Sequence, residues 1–402
     1  MTQVSLAYFD NAATTRVRPE VYDAMHKYMK DEFANPSGIY KAATAAKLAI
    51  DNAREKIAAA IGANYGNEIY FTGSGTESIN WAIKSIAQLH KGCHIITSQV
   101  EHHAVLHTCE YLEKNGNKVT YLAVDKYGAV DLNQLKSAIC QDTKLVTIMM
   151  ANNEVGTIMP IAEIAEIIKQ TNTERSADDK IIFHMDGVQA LGHIPINVND
   201  MNIDLLSVSA HKLNGPKGVG ALYVKRGTKI SALIHGGGQE RNRRAGTENV
   251  AGIVGFGIAT EMACAEMQQT NSYLKAMRDE TIGKLLALIP YSCLNGHPTN
   301  RLANNINITI DFIEGEGMLL LLDARGIVAS SGSACTSGSL DPSHVLLSMG
   351  LPHERAHGSL RISFDYHTTQ EEIDKLIEAL PPIVERLRKM SPLWEEYNKE
   401  MR

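Results

Sequence analysis

The chain has 402 residues, of which 44% are hydrophobic and 21% are charged, and its formal net charge is −6 at pH 7. This length exceeds a single compact core, so we expect a globular protein of two domains. The negative charge and the lack of a basic, aromatic-rich patch argue against nucleic-acid binding as a main function. No segment approaches a membrane span, and the N-terminus lacks the blocks of a signal peptide. We therefore expect a cytoplasmic protein that binds no membrane.

The first sixty residues predict a short extended piece followed by two helices. The segment LAYFDNAATT suits a turn after its extended start, and the first helix begins near Pro19. A second, alanine-rich helix has apolar residues at helical spacing and ends near Gly62. Between the helices, FANPSG predicts a turn that directs Asn35 towards a ligand.

From residue 67 onwards, strand and helix patterns alternate. This alternation predicts crossover helices and an α/β fold, with a large domain built on a seven-stranded, mainly parallel sheet. Its predicted strands are residues 68–72, 94–99, 118–124, 145–150, 181–186, 204–209 and 220–225.

A long helical stretch that ends near residue 289 precedes a different pattern. The segments NNINITIDF, IVASS and SLRISF read as strands, and the chain closes on an amphipathic helical stretch. We predict a smaller α+β domain here. The expected boundaries are 16–259 for the large domain, with 1–15 and 260–402 forming the small one.

Lys212 is the central candidate for chemistry. It follows an apolar strand and opens a loop, SAHKLNGPKG, at the end of that strand. Ligands of open α/β sheets bind at the carboxyl ends of the strands. A partly desolvated lysine at that place is able to condense with an aldehyde and form a Schiff base.

Polar residues also follow the other strands of the predicted sheet. Gly75 and Thr76 lie in GSGTES at the start of a helix, a typical phosphate site, although the glycine loop lacks the features of a P-loop or a dinucleotide fingerprint. His102 follows the second strand and suits stacking on an aromatic cofactor. Asp186 ends an apolar run, where an acid is costly unless it is paired. A protonated ring nitrogen is such a partner, and Gln189 lies three residues further on.

Metal binding is a competing interpretation of the histidines. His102, His103, His107 and Cys109 lie close in sequence, but no third ligand is fixed by their spacing, so we expect no metal site. The six cysteines form no CxxC pair, which indicates neither a disulfide framework nor a thiolate zinc site. We expect most of them to be buried thiols.

The motifs together resemble those of the NifS/IscS-type cysteine desulfurases, a branch of the fold-type I pyridoxal-phosphate enzymes. The resemblance covers essentially the whole chain, and SAHK and SSGSACTSG are its most specific pieces. The matching motifs are FDNAATT, NPS, FTGSGTES, EHHAVL, NNEVGT, DGVQ, SAHKLNGPKG, HGGGQERNRRAGTEN and SSGSACTSG. One departure is NPSGIYK, which lacks the histidine that many members carry a few residues after NPS.

The resemblance implies a role for each matching residue. Lys212 would bind pyridoxal 5'-phosphate covalently, His102 would stack on its ring, Asp186 would pair with the ring nitrogen and Gln189 would lie beside the phenolic oxygen. The residues that would bind the phosphate are Gly75, Thr76, Ser209, His211 and Thr247, the last from the other subunit of a homodimer. Those that would bind the substrate carboxylate are Asn153, which also lines the cofactor site, Arg361 and, as a weaker candidate, Asn35.

Cys335 is surrounded by small and hydroxylic residues in SSGSACTSGS. Such a segment has little apolar area to bury, so we expect it to be mobile and to carry a reactive thiol into and out of the site. The predicted reaction is the removal of sulfur from L-cysteine, which gives L-alanine and a persulfide on Cys335. His102 is the expected acid/base partner of the thiol.

Other functions stay open from the sequence. A selenocysteine lyase or a class V aminotransferase would share Lys212 and Asp186, and a non-catalytic sulfur carrier or scaffold would share neither the cofactor nor its colour. The expected protein partner is an iron–sulfur scaffold or another sulfur acceptor, without indication of which pathway is served. The C-terminal tail with Trp394 and Tyr397 suits either docking of that acceptor or capping of the small domain.

Overall fold

The computed structural model describes residues 6–331 and 341–400. Within these ranges, short 3₁₀ turns aside, the helices are α1 Pro19–Lys30, α2 Lys41–Ala60, α3 Gly75–Leu89, α4 His103–Lys114, α5 Leu132–Ala138, α6 Ile161–Thr173, α7 Gln239–Asn242, α8 Val250–Leu288, α9 Gly315–Asp323, α10 His344–Ser348, α11 His353–His357, α12 Gln370–Lys389 and α13 Pro392–Glu400. The strands are β1 Ala7–Tyr8, β2 Ile69–Thr72, β3 His94–Ser98, β4 Lys118–Leu122, β5 Thr143–Met149, β6 Ile182–Asp186, β7 Leu205–Ser209, β8 Gly220–Val224, β9 Ser292–Leu294, β10 Asn305–Ile310, β11 Ile327–Val328 and β12 Ser359–Ser363.

All seven predicted strands of the large sheet are confirmed, with ends that differ by one or two residues. The sheet order is β2-β8-β7-β6-β5-β3-β4. The strands from β7 to β4 are parallel, and β8 runs antiparallel to both of its neighbours. The carboxyl ends of β5, β6 and β7 therefore meet at one edge of the sheet, where a crevice for a ligand is expected.

A second, three-stranded antiparallel sheet has the order β12-β10-β9, and β1 pairs with β11 in a separate parallel pair. The sequence prediction missed β9, which is only three residues long and half-buried. Helix α12 covers this part of the molecule. It begins with a capping box, in which Thr369 accepts from the Glu372 N–H and the Glu372 carboxylate accepts from the Thr369 N–H.

The long helix α8 passes through two hydrophobic cores. Its first turns pack into the core of the large sheet through Ile253 and Phe256, and its later turns pack with β10 and β12 through Leu274 and Leu285. The helix thus crosses the predicted domain boundary at residue 259, and that boundary stays a prediction.

By length and composition alone, α8 is also able to span a membrane. The expectation that no segment reaches this length is wrong for α8, whose 39 residues include an apolar 18-residue window. Inside the protein, 44% of that window is buried. A long, mostly apolar core helix satisfies the same criterion, so a single helix of this kind is weak evidence for a membrane span.

The C-terminal helix α13 packs on an aromatic cluster. The Trp394 ring lies 5.6 Å from that of Tyr291 and 5.2 Å from that of Phe312, and Tyr397 lies 5.0 Å from Phe312. The Arg388 guanidinium lies over the ring of Trp394 at 5.2 Å. The tail therefore covers the end of the three-stranded sheet.

Arg301 connects the loop after β5 to the three-stranded sheet. It is only 4% exposed, and its guanidinium donates to the carbonyl oxygens of Asn295, His297, Asn305 and Val155 at 3.0–3.4 Å. Such a rigid fork of donors satisfies several buried carbonyls at once. The loop that carries Val155 also carries the predicted site residue Asn153, so Arg301 fixes that loop from behind.

We expect Arg301→Met to lower the free energy of unfolding by about 3 kcal/mol or more, because several buried carbonyls would lose their donor. Guanidinium-chloride unfolding measures this loss. Arg325→Met is the matched control, because Arg325 is exposed and donates only to the Ala379 carbonyl among the described residues; it should cost about 1 kcal/mol at most. Equal losses in the two variants would contradict the role given to Arg301.

Candidate active site

A cavity of about 310 Å³ opens at the carboxyl ends of the central strands. The structure brings ten predicted site residues to its wall: Gly75, Thr76, His102, Asn153, Asp186, Gln189, Ser209, His211, Lys212 and Arg361. Sequence reasoning from strand ends did not find Ala12 and Ala13, which also line it. The signal for these two was the FDNAATT motif, in which the alanines carry no chemistry in their side chains.

Lys212 lies in a 3₁₀ turn, Ala210–Lys212, directly after β7. Its Nζ donates to the carbonyl oxygens of Ala12 at 2.6 Å and Ala13 at 2.7 Å. The N-terminal turn therefore holds the amino group at the cavity. The Gln189 side-chain amide also donates to the Ala12 carbonyl, at 3.0 Å.

Asp186 ends β6 and is only 5% exposed. Its Oδ1 accepts from the Val188 N–H at 2.9 Å. Burial raises the pKa of this carboxyl to about 6, and the Val188 N–H and the charge of Lys212 offset that rise only in part. A cation bound beside it would stabilise its ionised form.

His102 caps the N-terminus of α4, because its Nδ1 accepts from the Ala104 N–H at 3.1 Å. Burial lowers the pKa of His102 to about 4, and the charge of Lys212 acts in the same direction. The ring is therefore neutral at neutral pH and carries its proton on Nε2. A neutral ring suits stacking on an aromatic group and donation of one hydrogen bond.

The glycine loop between β2 and α3 has the features of a phosphate site. Ser74 caps α3, and the N–H groups of Gly75 and Thr76 precede the intrahelical hydrogen bonds. A Cβ on Gly75 would lie 2.8 Å from Val188 Cγ2 and 3.3 Å from Ser209 Cβ, so the loop approaches the strand ends more closely than other residues allow. Ser209 Oγ is buried and lacks a hydrogen-bond partner among the described residues.

His211 lies beside Lys212 on the same turn and contacts Thr14 Oγ1 through its Nδ1 at 3.2 Å. Burial lowers its pKa to about 4, and the neighbouring lysines act in the same direction. This imidazole is therefore also neutral at neutral pH and binds an anion through a hydrogen bond rather than through charge.

Arg361 lies on β12, lines the cavity and is 2% exposed. Its guanidinium pairs with Asp10 at 2.7 Å and donates to the Asn153 carbonyl at 3.3 Å. The remaining donor, Nε, is buried and has no partner among the described residues. A buried donor of this kind suits an acceptor supplied by a ligand, such as a carboxylate.

Two predicted residues within the described ranges, Asn35 and Thr247, do not line this cavity. Asn35 is exposed, and its Oδ1 accepts from the Ser37 N–H at 2.9 Å, which confirms the turn but directs the side chain elsewhere. Thr247 is exposed in the loop before α8. Cys335 lies outside the described residues.

From the sequence, we expect no metal site at the histidines near the start of α4. A groove between α3 and α4 adjoins the cavity at Thr76 and His102. The His103 ring lies 4.8 Å from that of His107 and 4.7 Å from that of His344. Within residues 6–331 and 341–400, no group of three or more histidine, cysteine, aspartate or glutamate side chains is arranged to hold a metal ion.

Comparison with known proteins places this geometry in a family. Residues 7–376 match the family model described as aminotransferase class-V. The chain belongs to the class-V aminotransferases. The cysteine desulfurase IscS of Methanosarcina thermophila is 57% identical over 394 residues, which cover 98% of this chain and 95% of that protein. Within the family, the chain is a member of the cysteine desulfurases.

Solved structures agree with this membership. A structure described as a NifS-like protein has a TM-score of 0.88 at 38% identity and covers 95% of this chain and 100% of its own. A structure of SspA in complex with cysteine has a TM-score of 0.77 at 38% identity and covers 90% of this chain and 99% of its own. The fold-type I architecture predicted from the sequence is confirmed.

Enzymes of this class-V family depend on pyridoxal 5'-phosphate, which is therefore the cofactor of this chain. The residues at the cavity fit the cofactor at both of its ends. The unpartnered Ser209 Oγ and the N-terminus of α3 suit a phosphate. The buried Asp186 suits a protonated ring nitrogen.

We expect Asp186→Asn to stabilise the protein after the cofactor is removed. The pKa of Asp186 is raised from 3.8 to about 6, so the folded state binds this proton more tightly than the unfolded state does. Ionisation therefore costs stability above pH 4, and the full cost of about 3 kcal/mol is reached above pH 6. The variant should be more stable than the wild type by up to that amount at pH 8.

Denaturant unfolding at pH 8 and pH 5 measures the effect, and the gain should shrink by about half at pH 5. Asp51→Asn, at an exposed position on α2, serves as the control and should show no such pH dependence. If the variant showed no gain in the free energy of unfolding at pH 8, or the same gain at both pH values, the raised pKa of Asp186 would be contradicted.

Proposed function

We propose that this cysteine desulfurase takes sulfur from L-cysteine, releases L-alanine and keeps the sulfur as a persulfide on Cys335. One observation carries the proposal. The amino group of Lys212, the buried carboxyl of Asp186 and the guanidinium of Arg361 line the same cavity in a chain that is 57% identical to a cysteine desulfurase.

The cofactor supplies an aldehyde that takes up the amino group of the substrate and a ring that withdraws electrons from it. The protein residues that would hold the phosphate are Gly75, Thr76, Ser209 and His211. Asp186 would keep the ring nitrogen protonated, and the neutral imidazole of His102 would stack on the ring. Gln189 would lie at the phenolic oxygen, as in the resemblance that predicted it.

The substrate carboxylate would bind at Arg361. Asp10 already pairs with one nitrogen of this guanidinium, and the Asn153 carbonyl accepts from another. These two contacts fix the orientation of the guanidinium, so its Nε–H would donate to a ligand with little further loss of side-chain entropy. Because Lys212 lines the same cavity, an amino acid bound in this way would lie within the chamber that contains the Lys212 amino group.

Lys212 and His102 would move the protons of the reaction. The Lys212 amino group would act as the base that removes the proton from the α-carbon. His102 has a neutral ring with its proton on Nε2, so it would be able to exchange a proton with the thiol groups that take part in the reaction.

The sulfur transfer itself would take place at Cys335. The thiolate of Cys335 attacks the sulfur of the bound cysteine, a new S–S bond forms and the C–S bond breaks. The electron pair of the broken bond stays with the three-carbon fragment, which takes up protons and leaves as L-alanine. L-Cysteine and one thiol thus become L-alanine and one persulfide, with no external oxidant.

The proposal includes a homodimer, a cytoplasmic location and transfer of the persulfide sulfur to an acceptor protein of iron–sulfur cluster assembly. The exposed position of Thr247 supports the dimer, because this residue is available to the phosphate site of a second subunit but does not reach its own cavity. The IscS name of the relative supports the pathway.

We expect Cys335→Ser to abolish the formation of alanine and sulfide from L-cysteine with a reductant, while the yellow cofactor stays bound. The wild type should form the two products in equal amounts. Cys140→Ser is the matched control, because Cys140 is exposed, unlike the buried Cys93 and Cys109, and should keep full activity.

Full activity of the Cys335 variant would contradict the persulfide step. A wild type that binds the cofactor but forms no alanine would contradict the proposed reaction as a whole. The exposure of Cys140 also shows that the expectation of mostly buried thiols holds only in part, since Cys264 and Cys293 are half-buried.

A further inference from the structure

A carboxylate lies against the glycine loop that the proposed function assigns to the cofactor phosphate. Glu77 is the third residue of α3, and its Oε2 accepts from the Gly73 N–H at 3.0 Å. A Cβ on Gly73 would lie only 2.7 Å from the same oxygen. An acid at a helix N-terminus stabilises the helix, but its negative charge opposes a phosphate at that terminus.

Arg244 neutralises this carboxylate through two hydrogen bonds. Its Nε donates to Glu77 Oε1 at 2.8 Å, and its NH2 group donates to Glu77 Oε2 at 3.3 Å. The two side chains are 23% and 25% exposed, so the pair is only partly screened by water. The contact joins residues that are 167 positions apart in the chain.

The backbone around Arg244 is fixed by the fold. The Leu233 N–H donates to the Arg243 carbonyl at 2.7 Å, and the Ala245 N–H donates to the Ile234 carbonyl at 3.1 Å. The backbone on both sides of Arg244 is therefore held by hydrogen bonds, which fix the position from which its side chain reaches Glu77.

A buried ion pair holds the start of the same segment. Glu240 has a φ of 44°, followed by two further residues in the left-handed region, a conformation that persists only when other contacts enforce it. Glu240 pairs with Arg54 through two bonds of 2.8 and 2.9 Å, and both residues are buried. Glu240 Oε2 also accepts from the Phe71 N–H of the edge strand β2, at 3.1 Å.

We propose that Arg244 is a positioning residue for cofactor binding, which acts by neutralising Glu77 so that the N-terminus of α3 attracts the phosphate. The inference rests on the proposed function, because it requires the phosphate at this loop. Arg244 touches neither cofactor nor substrate in this role. Its effect is a charge effect that passes through Glu77.

The test measures the dissociation constant of pyridoxal 5'-phosphate for four proteins prepared without cofactor: the wild type, Arg244→Met, Glu77→Gln and the double variant. Arg244→Met should raise the Kd about tenfold, because it leaves an unpaired carboxylate beside the phosphate. The double variant should return to within about threefold of the wild type, since the amide introduced by Glu77→Gln has no charge and still accepts from the Gly73 N–H. Arg244→Lys, which keeps the charge, should stay near the wild type.

Two controls separate a charge effect from a general loss of structure. Pyridoxal, which lacks the phosphate, should bind Arg244→Met and the wild type equally well. Lys118→Met removes a cation from an exposed ion pair with Asp142 at the distant end of the sheet, and it should leave both dissociation constants unchanged.

An unchanged Kd in Arg244→Met would overturn the inference. A double variant that binds as weakly as Arg244→Met, or an equal loss for pyridoxal, would also overturn it, because both results indicate a structural role. If the wild type forms alanine and one of these results is found, the inference alone fails. If the wild type takes up no cofactor, the proposed function fails with it.

Discussion

The site depends on one costly arrangement, an ionisable carboxyl buried at the end of a central strand. Asp186 follows apolar residues that belong in the core, and burial raises its pKa to about 6. A protein does not gain stability from such a group. A ligand that brings a positive charge next to Asp186 would offset the free-energy cost of burying the carboxylate. Asp186 therefore indicates the position of the cofactor more clearly than any other side chain.

The N-terminal turn contacts the residues of the cavity wall partly through its backbone carbonyl groups and partly through two side chains. The carbonyls of Ala12 and Ala13 accept from Lys212, the side chain of Asp10 pairs with Arg361, and Thr14 contacts His211. One short segment thus bonds to three residues of the cavity wall that come from β12 and from the turn after β7. The first strand pairs with β11, which fixes the position of this turn.

Several features were predictable from sequence because they follow from local pattern. The seven strands follow from apolar runs and alternation, and Lys212 and Asp186 follow from the rule that ligands bind at strand ends. Arg361 came from the resemblance alone, since it shows no pattern that marks a site. Asn153 follows an apolar strand, but its role also came from the resemblance. The C-terminal end of α8 was predicted to within a residue or two, but the helix begins at Val250, before the predicted start. Its length and apolar character, which would also allow a membrane span, were overlooked.

Other features depend on contacts between distant segments, which a single sequence does not reveal. Arg301 satisfies buried carbonyls from three segments, and Arg244 meets Glu77 across 167 residues. Ala12 and Ala13 contact Lys212 through their backbone carbonyl groups. Every residue has such a group, so the sequence does not mark these two positions. Thr247 and Asn35 are exposed in one chain, so the roles predicted for them stay predictions.

The proposed reaction requires that Lys212 carries the cofactor. The most direct measurement is reduction of the cofactor-bound protein with borohydride, followed by proteolysis and mass spectrometry of the labelled peptide. We expect a phosphopyridoxyl group on Lys212 and on no other lysine. A label on a different lysine, or cofactor that is released unlinked after reduction, would contradict it.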